Sequence, residues 1–166
     1  MKKIISIFVI LTIAIFLTGC ESTEDLTDMY DTSLLNHITC TRDAVIESDS
    51  SSSVSINYDL YYDDEEYLQI LNSKEEIKSS NSNLLDQYEE AYKKIYKAYD
   101  GLEYYDNLIK RTDDTVVSTT TINYGKIDMD ELMKIEGSED NVKVSNGKIK
   151  LTDWKKFAKK YGTTCK

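Results

Sequence analysis

The sequence predicts an α+β domain: an antiparallel sheet of about four to five strands with one long helix and a C-terminal helix packed on it. Three observations predict this. Apolar and polar residues alternate in several separate stretches, the period of half-buried strands. A single long stretch, residues 84–99, repeats at helical spacing instead. A second amphipathic stretch, residues 154–161, closes the chain. The strands come in runs rather than each alternating with a helix, which separates this pattern from a parallel α/β sheet.

In order, residues 37–47 alternate, with Ile38, Cys40, Ala44 and Ile46 on one side and Thr39, Thr41 and Asp43 on the other. The serine-rich residues 49–53 are expected to turn the chain. Val54, Ile56, Tyr58 and Leu60 repeat the alternation as a second strand paired on the first. The acidic corner Asp63-Asp64-Glu65-Glu66 ends it, and residues 67–77 form a third strand around Leu68 and Ile70.

The long helix follows. Asn81, Ser82 and Asn83 offer capping oxygens for its first turn. Leu84, Leu85, Tyr88, Ala91, Tyr92, Ile95, Ala98 and Tyr99 form its apolar stripe, and Gly101 stands where a left-handed C-terminal cap belongs. Glu89–Lys93 and Glu90–Lys94 are spaced as i,i+4 pairs on the polar side. Since the stripe needs a partner, this helix is expected to lie on the sheet. Residues 102–110 and 114–124 read as strands four and five, with β-branched Val116, Val117 and the threonine run 119–121. Asp128 caps a short helix carrying Leu132, Met133 and Ile135, which Gly137 ends. Asn146-Gly147 between Val142, Val144, Ile149 and Leu151 is a short hairpin signal. Thr152 is expected to cap the last helix, with Trp154, Phe157, Ala158 and Tyr161 inward and Gly162 stopping it.

Residues 1–19 lie outside that pattern. Lys2 and Lys3 precede an apolar run over residues 4–17, and Leu17-Thr18-Gly19-Cys20 follows. A positive n-region, an apolar core of about 7–15 residues and small residues before the cut make a secretory signal. The run is shorter than the roughly 20 apolar residues needed to span a bilayer. A cysteine at the first mature position makes this a lipobox: the Cys20 thiol takes a diacylglyceryl group, and cleavage then frees the Cys20 amine. The expected organisation is a signal peptide over 1–19, a flexible tether over 20–36 and one domain over 37–166, held by lipid on the extracytoplasmic face of the cell membrane.

The chain has 166 residues, with 20 Lys and Arg against 30 Asp and Glu, a net charge of −10. Losing Lys2 and Lys3 with the signal leaves 18 bases against 30 acids, or −12. That sign excludes nucleic acid as an expected partner. With Cys20 lipidated, Cys40 and Cys165 remain. In an exported protein an even pair favours a disulfide, which would pin the chain's end to an early strand; two unbonded thiols are the alternative.

The usual catalytic groupings are missing. His37 is the sole histidine and lies at the start of a strand, so neither a nucleophile–histidine pair nor a zinc site is expected. The acidic groups Asp63–Glu66 and Asp128-Asp130-Glu131 read as a solvated turn and a helix start rather than cation sites. No cofactor and no enzymatic activity are expected, with a carboxylate-based envelope hydrolase or a small-ligand receptor as the alternatives. Tyrosine is unusually abundant, 13 residues against three Phe and one Trp. Neighbours on a strand face opposite ways, so some of Tyr61, Tyr62, Tyr96, Tyr104 and Tyr105 are expected at the surface. There they would suit a protein, peptide or glycan partner at the cell envelope.

The lipobox cysteine, the strand pair after the tether, the single long helix, the segment Thr121-Ile122-Asn123-Tyr124-Gly125-Lys126-Ile127-Asp128 leading into a short helix, and the terminal helix together resemble the YehR-like family of small bacterial lipoproteins of unknown function. Cys40, Cys165 and the tyrosine-rich helix are similar to a Gram-positive branch rather than the enteric form. The resemblance implies an α+β fold and a membrane-tethered address, and it supplies no catalytic residue.

Overall fold

The computed structural model describes residues 31–46, 49–137 and 142–166. Residues 1–30, which hold the expected signal peptide, Cys20 and most of the tether, lie outside the described residues. The elements run β1 (Asn36–Ile46), β2 (Asp49–Tyr62), β3 (Leu68–Lys78), α1 (Ser82–Tyr96), a 3-10 turn (Lys97–Tyr99), β4 (Tyr105–Arg111), β5 (Thr115–Asn123), α2 (Met129–Glu136), β6 (Val144–Ser145), β7 (Lys148–Ile149), α3 (Leu151–Lys160) and β8 (Thr164–Cys165). Six strands form one antiparallel sheet in the order β4-β5-β3-β2-β1-β8, and β6 and β7 make a separate hairpin. The α+β architecture expected from the pattern is present, with one strand more than the pattern supplied. β8 is only two residues long and shows no alternation, so it is visible only through its pairing with Cys40 and Thr41.

The pairing register shows how the core is divided. Residues directly opposite on neighbouring strands share a face. Ile38, Leu60, Leu71, Ile122 and Tyr105 form one transverse row, and Ala44, Val54, Ile77, Val116 and Arg111 form another on the same face. Six residues of β3 separate the rows, about 20 Å at the rise of a strand. The first row lies under α2, α3 and the small hairpin, in a core with Leu132, Ile149, Leu151 and Trp154. The second lies under α1, in a smaller core of Ile77, Leu85, Tyr92 and Val116. Every helix therefore sits on one face. Between the two cores run polar rows, Ser73 and Thr120 in one and Arg42, Glu75 and Ser118 in the other.

Local signals account for most boundaries. Asn81 caps α1 by accepting from the Leu84 amide at 3.3 Å, and Asp128 caps α2 by accepting from Glu131 at 3.0 Å. Asn146 and Gly147 have φ of 54° and 69°, the left-handed pair a two-residue hairpin turn requires. Lys93 reaches both Glu89 (2.8 Å) and Glu90 (3.2 Å).

Four expectations are corrected. The serine-rich residues 49–53 are part of β2 rather than a turn, and Ser52 is buried with its hydroxyl donating to Ser79 at 2.6 Å. That bond satisfies a polar group that composition alone assigns to solvent. Strand four begins at Tyr105 instead of residue 102, because Tyr104 takes a positive φ of 66° while Leu102 turns into the core. α1 ends at Tyr96, and Ala91, Ile95 and Ala98 of its expected stripe are exposed, since Leu85 and Tyr92 are the positions of the helix that bury against the small core beneath it. α3 starts at Leu151 with no side-chain cap, so Thr152 lies inside it, and Tyr161 stands past its end, half exposed.

Cys40 and Cys165 are joined by a disulfide across 125 residues of sequence. Cys40 is fully buried, and the Lys166 amide donates to Thr39 O at 3.0 Å beside the bond. This is the pinning of chain end to early strand that the pair of cysteines suggested.

Candidate functional site

A cleft of about 350 Å³ opens between α3, the end of α2 and the sheet. Its floor is the sheet: Tyr58, Leu71 and Ile122. Its wall is α3: Trp154, Phe157 and Ala158, with Tyr161 and Thr163 just beyond. Trp154 sets its ring edge-on to Tyr58, 5.2 Å between centroids. Arg42 enters from the β1 side. Glu136 enters from the end of α2, where its charge acts on Tyr99, Tyr105 and Tyr124.

Burial governs the titration of the groups around the cleft. Desolvation, with Glu136 adding to it, pushes Tyr99 up to about 12. Tyr105 and Tyr124 are raised as well, each first by burial. Glu75, in the polar row beside the cleft, is raised by burial, opposed by the Tyr92 hydroxyl and the Arg42 charge. The buried Tyr92 hydroxyl makes no hydrogen bond of standard geometry among the described residues, yet it lies close enough to act on that carboxyl. Its own ionisation is pushed up by burial and by Glu75.

Glu75 provides a stability prediction. A carboxyl raised in the fold binds its proton more tightly there than in the unfolded chain. It therefore costs stability once pH climbs above its ordinary value of 4.5. Glu75→Gln should raise the denaturant midpoint at neutral pH, and the gain should shrink as pH falls below that value. A gain independent of pH would show that the charge is not what is being relieved.

The residues singled out in the sequence are scattered. Tyr61 lies on the open face of the sheet, 4.7 Å from the His37 ring, while its neighbour Tyr62 packs into the larger core. Tyr96 is half-buried over the sheet, its hydroxyl 2.5 Å from Ser118 Oγ and accepting from Thr120 at 3.1 Å. Tyr105 stacks on Tyr99 at 4.2 Å. Tyr104 alone is largely exposed, with Lys126 Nζ 5.6 Å from its ring centroid. These five do not form one patch, because Tyr62 and Tyr105 pack on the larger core and Tyr96 on the smaller one, while Tyr61 lies on the open face.

His37 Nε2 is 3.1 Å from Asp59 Oδ1, and Asp59 also accepts from Thr39 (2.8 Å) and Asn57 (3.1 Å). This small polar cluster lies on the face of the sheet opposite the cleft floor. Asp63 is engaged by the Glu65 and Tyr67 amides and by Gln69 Nε2 at 2.8 Å, so it organises its own turn.

The residues the sequence reading passed over are Arg42, Tyr58, Trp154 and Phe157 as a group, because nothing local brings them together. One signal was present. Arg42 occupies an inward position in the β1 alternation between Cys40 and Ala44, where a charge is out of place.

A six-stranded antiparallel sheet with all helices on one face and an aromatic-lined cleft beneath α3 describes a small α+β scaffold. Among solved structures, the chain is similar to the solution structure of the YehR protein of E. coli, with a TM-score of 0.52 and 14% identity, covering 79% of this chain and 91% of that one. It is also similar to a protein from Streptococcus pneumoniae TIGR4, with a TM-score of 0.48 and 15% identity, covering 82% of this chain and 88% of that one. At such identities the likeness is one of fold. No family model and no curated protein matches the chain.

Proposed function

We propose that this chain is a lipid-anchored, extracytoplasmic, non-enzymatic binding domain whose ligand enters the cleft between α3 and the sheet. The observation that carries the binding reading is the cleft itself, about 350 Å³ with aromatic walls and two charged residues. Small-ligand sites span about 300–1,000 Å³, mostly apolar with a few polar groups. The hydrolase alternative needs two carboxylates flanking a bond, and among the described residues Glu136 is the one carboxylate lining this cleft. The anchor reading rests on the sequence alone: Lys2, Lys3, the apolar run and Leu17-Thr18-Gly19-Cys20. The YehR-like fold agrees with the family resemblance of that N-terminus. Envelope address and ligand binding together make an accessory domain held at the cell surface, where a protein, peptide or glycan is a second class of partner.

Cys20→Ser tests the anchor. It should leave unprocessed precursor in the membrane and abolish labelling by a fatty-acid probe. Labelling that survives the substitution removes the lipobox reading. Crosslinking in cells through the tethered domain, with partners identified by mass spectrometry, tests the surface-partner alternative.

A further inference from the structure

The chemistry of the cleft walls selects a ligand class. Tyr58, Trp154 and Phe157 line the cleft with three aromatic rings, which favour an aromatic body through offset or edge-to-face contacts. The volume is at the small end for such sites, so the body is a single ring or an equivalent apolar group.

Among the described residues, Arg42 is the sole basic one of the lining. No carboxylate among the described residues lies within 4.0 Å of its guanidinium, although several other bases of the chain have such partners. A half-buried guanidinium on an apolar wall presents a planar donor fork that matches a carboxylate in two parallel hydrogen bonds. Glu75, the nearest acid by register, sits two strands away in the same row, with Ile56 of β2 between them, so it acts on Arg42 across that row and does not occupy the donor fork. The acidity of the whole chain does not cancel this preference at contact, since it is screened over about 8–10 Å at ordinary salt.

Resting on the reading of the cleft as the ligand site, we propose that it binds a small organic carboxylate with an aromatic or similarly apolar body, the body against Tyr58, Trp154 and Phe157 and the carboxylate paired with Arg42. Glu136 at the far end disfavours a second negative charge on the ligand.

Trp154 is the sole tryptophan of the sequence, so its emission reports on this cleft alone. The test uses the full chain in phosphatidylcholine vesicles, titrated with phenylpropionate, its uncharged amide and the matching amine. Phenylpropionate should change the Trp154 emission saturably, and the amide and amine should bind about tenfold more weakly or worse, the loss expected for one charged hydrogen-bonded pair. Arg42→Gln should weaken the acid by a similar factor without weakening the amide, and Arg42→Lys should recover part of the loss. Far-ultraviolet circular dichroism checks that both variants fold. If Arg42→Gln does not fold, the acid–amide comparison on the unaltered chain still decides. Equal affinity for the amide or the amine overturns the carboxylate assignment and leaves the cleft a ligand site. No response to any of the three overturns both.

Discussion

Breaking the Cys40–Cys165 disulfide should lower the stability of the domain by several kilocalories per mole. The bond closes a loop of 125 residues of separation, and the chain-entropy model puts such a closure at about 5 kcal/mol, with about 2–5 kcal/mol the usual cost of losing a native bridge. The geometry argues for a large value. β8 is held to β1 by two residue pairs and the Lys166 amide bond to Thr39 O, too little to keep a two-residue strand in place once the covalent link is gone. Urea denaturation of the oxidised and reduced protein, or of Cys40→Ala/Cys165→Ala, should show a clear drop in midpoint. Amide exchange should also rise at residues 163–166 before the rest of the sheet opens. An unchanged midpoint on reduction would show that β8 contributes nothing to the fold.

Trp154→Ala is the second large effect, at about 3–5 kcal/mol of destabilisation. Trp154 is 5% exposed, belongs to the larger core and sets its ring against Tyr58. Removing it deletes the main contact between α3 and the sheet and merges the vacated space with the existing cleft, so the site cannot collapse to recover the loss. Leu108→Ala on β4, at 43% exposure, is the matched control and should stay within about 0.5 kcal/mol. Thermal or urea melts of both variants followed by circular dichroism measure the difference. Similar costs for the two substitutions would mean that burial in the α3 core is not what stabilises this end of the sheet.

The elements were legible in proportion to how local their cause is. The Asn81 and Asp128 caps, the Asn146-Gly147 turn and the alternation of β1, β2 and β3 all follow from residues within a few positions of one another, and each stands where its pattern put it. The errors share one origin. Ser52 was assigned to a turn because a buried serine needs a distant partner, here Ser79. Ile95 and Ala98 belong to a genuine helical stripe, but whether a stripe is covered depends on what lies beneath it. β8 has no pattern of its own and exists through a bond to a residue 125 positions away.

The same distinction applies to the candidate site. The inward position of Arg42 was already written into the period-2 alternation of β1, between Cys40 and Ala44, whereas a third strand read around Leu68 and Ile70 puts Glu75 on the other side, and only the register with β2 and β5 turns it inward. What those two residues do there depends on the row they share through β2 and on the cleft that α3 and the end of α2 leave over the sheet.

By itself the sequence determined an α+β chain, the identity of its helices and most of its strands, and the lipobox pattern ending at Cys20, since each rests on short-range periodicity or on a contiguous motif. Only the tertiary structure decided that both cores share one sheet face, that the tyrosines divide between core and surface instead of forming a patch, and that Arg42, Tyr58, Trp154 and Phe157 meet around one cleft. Those facts depend on strand register and helix placement, which are set by contacts between residues far apart in the chain, and no local pattern records them.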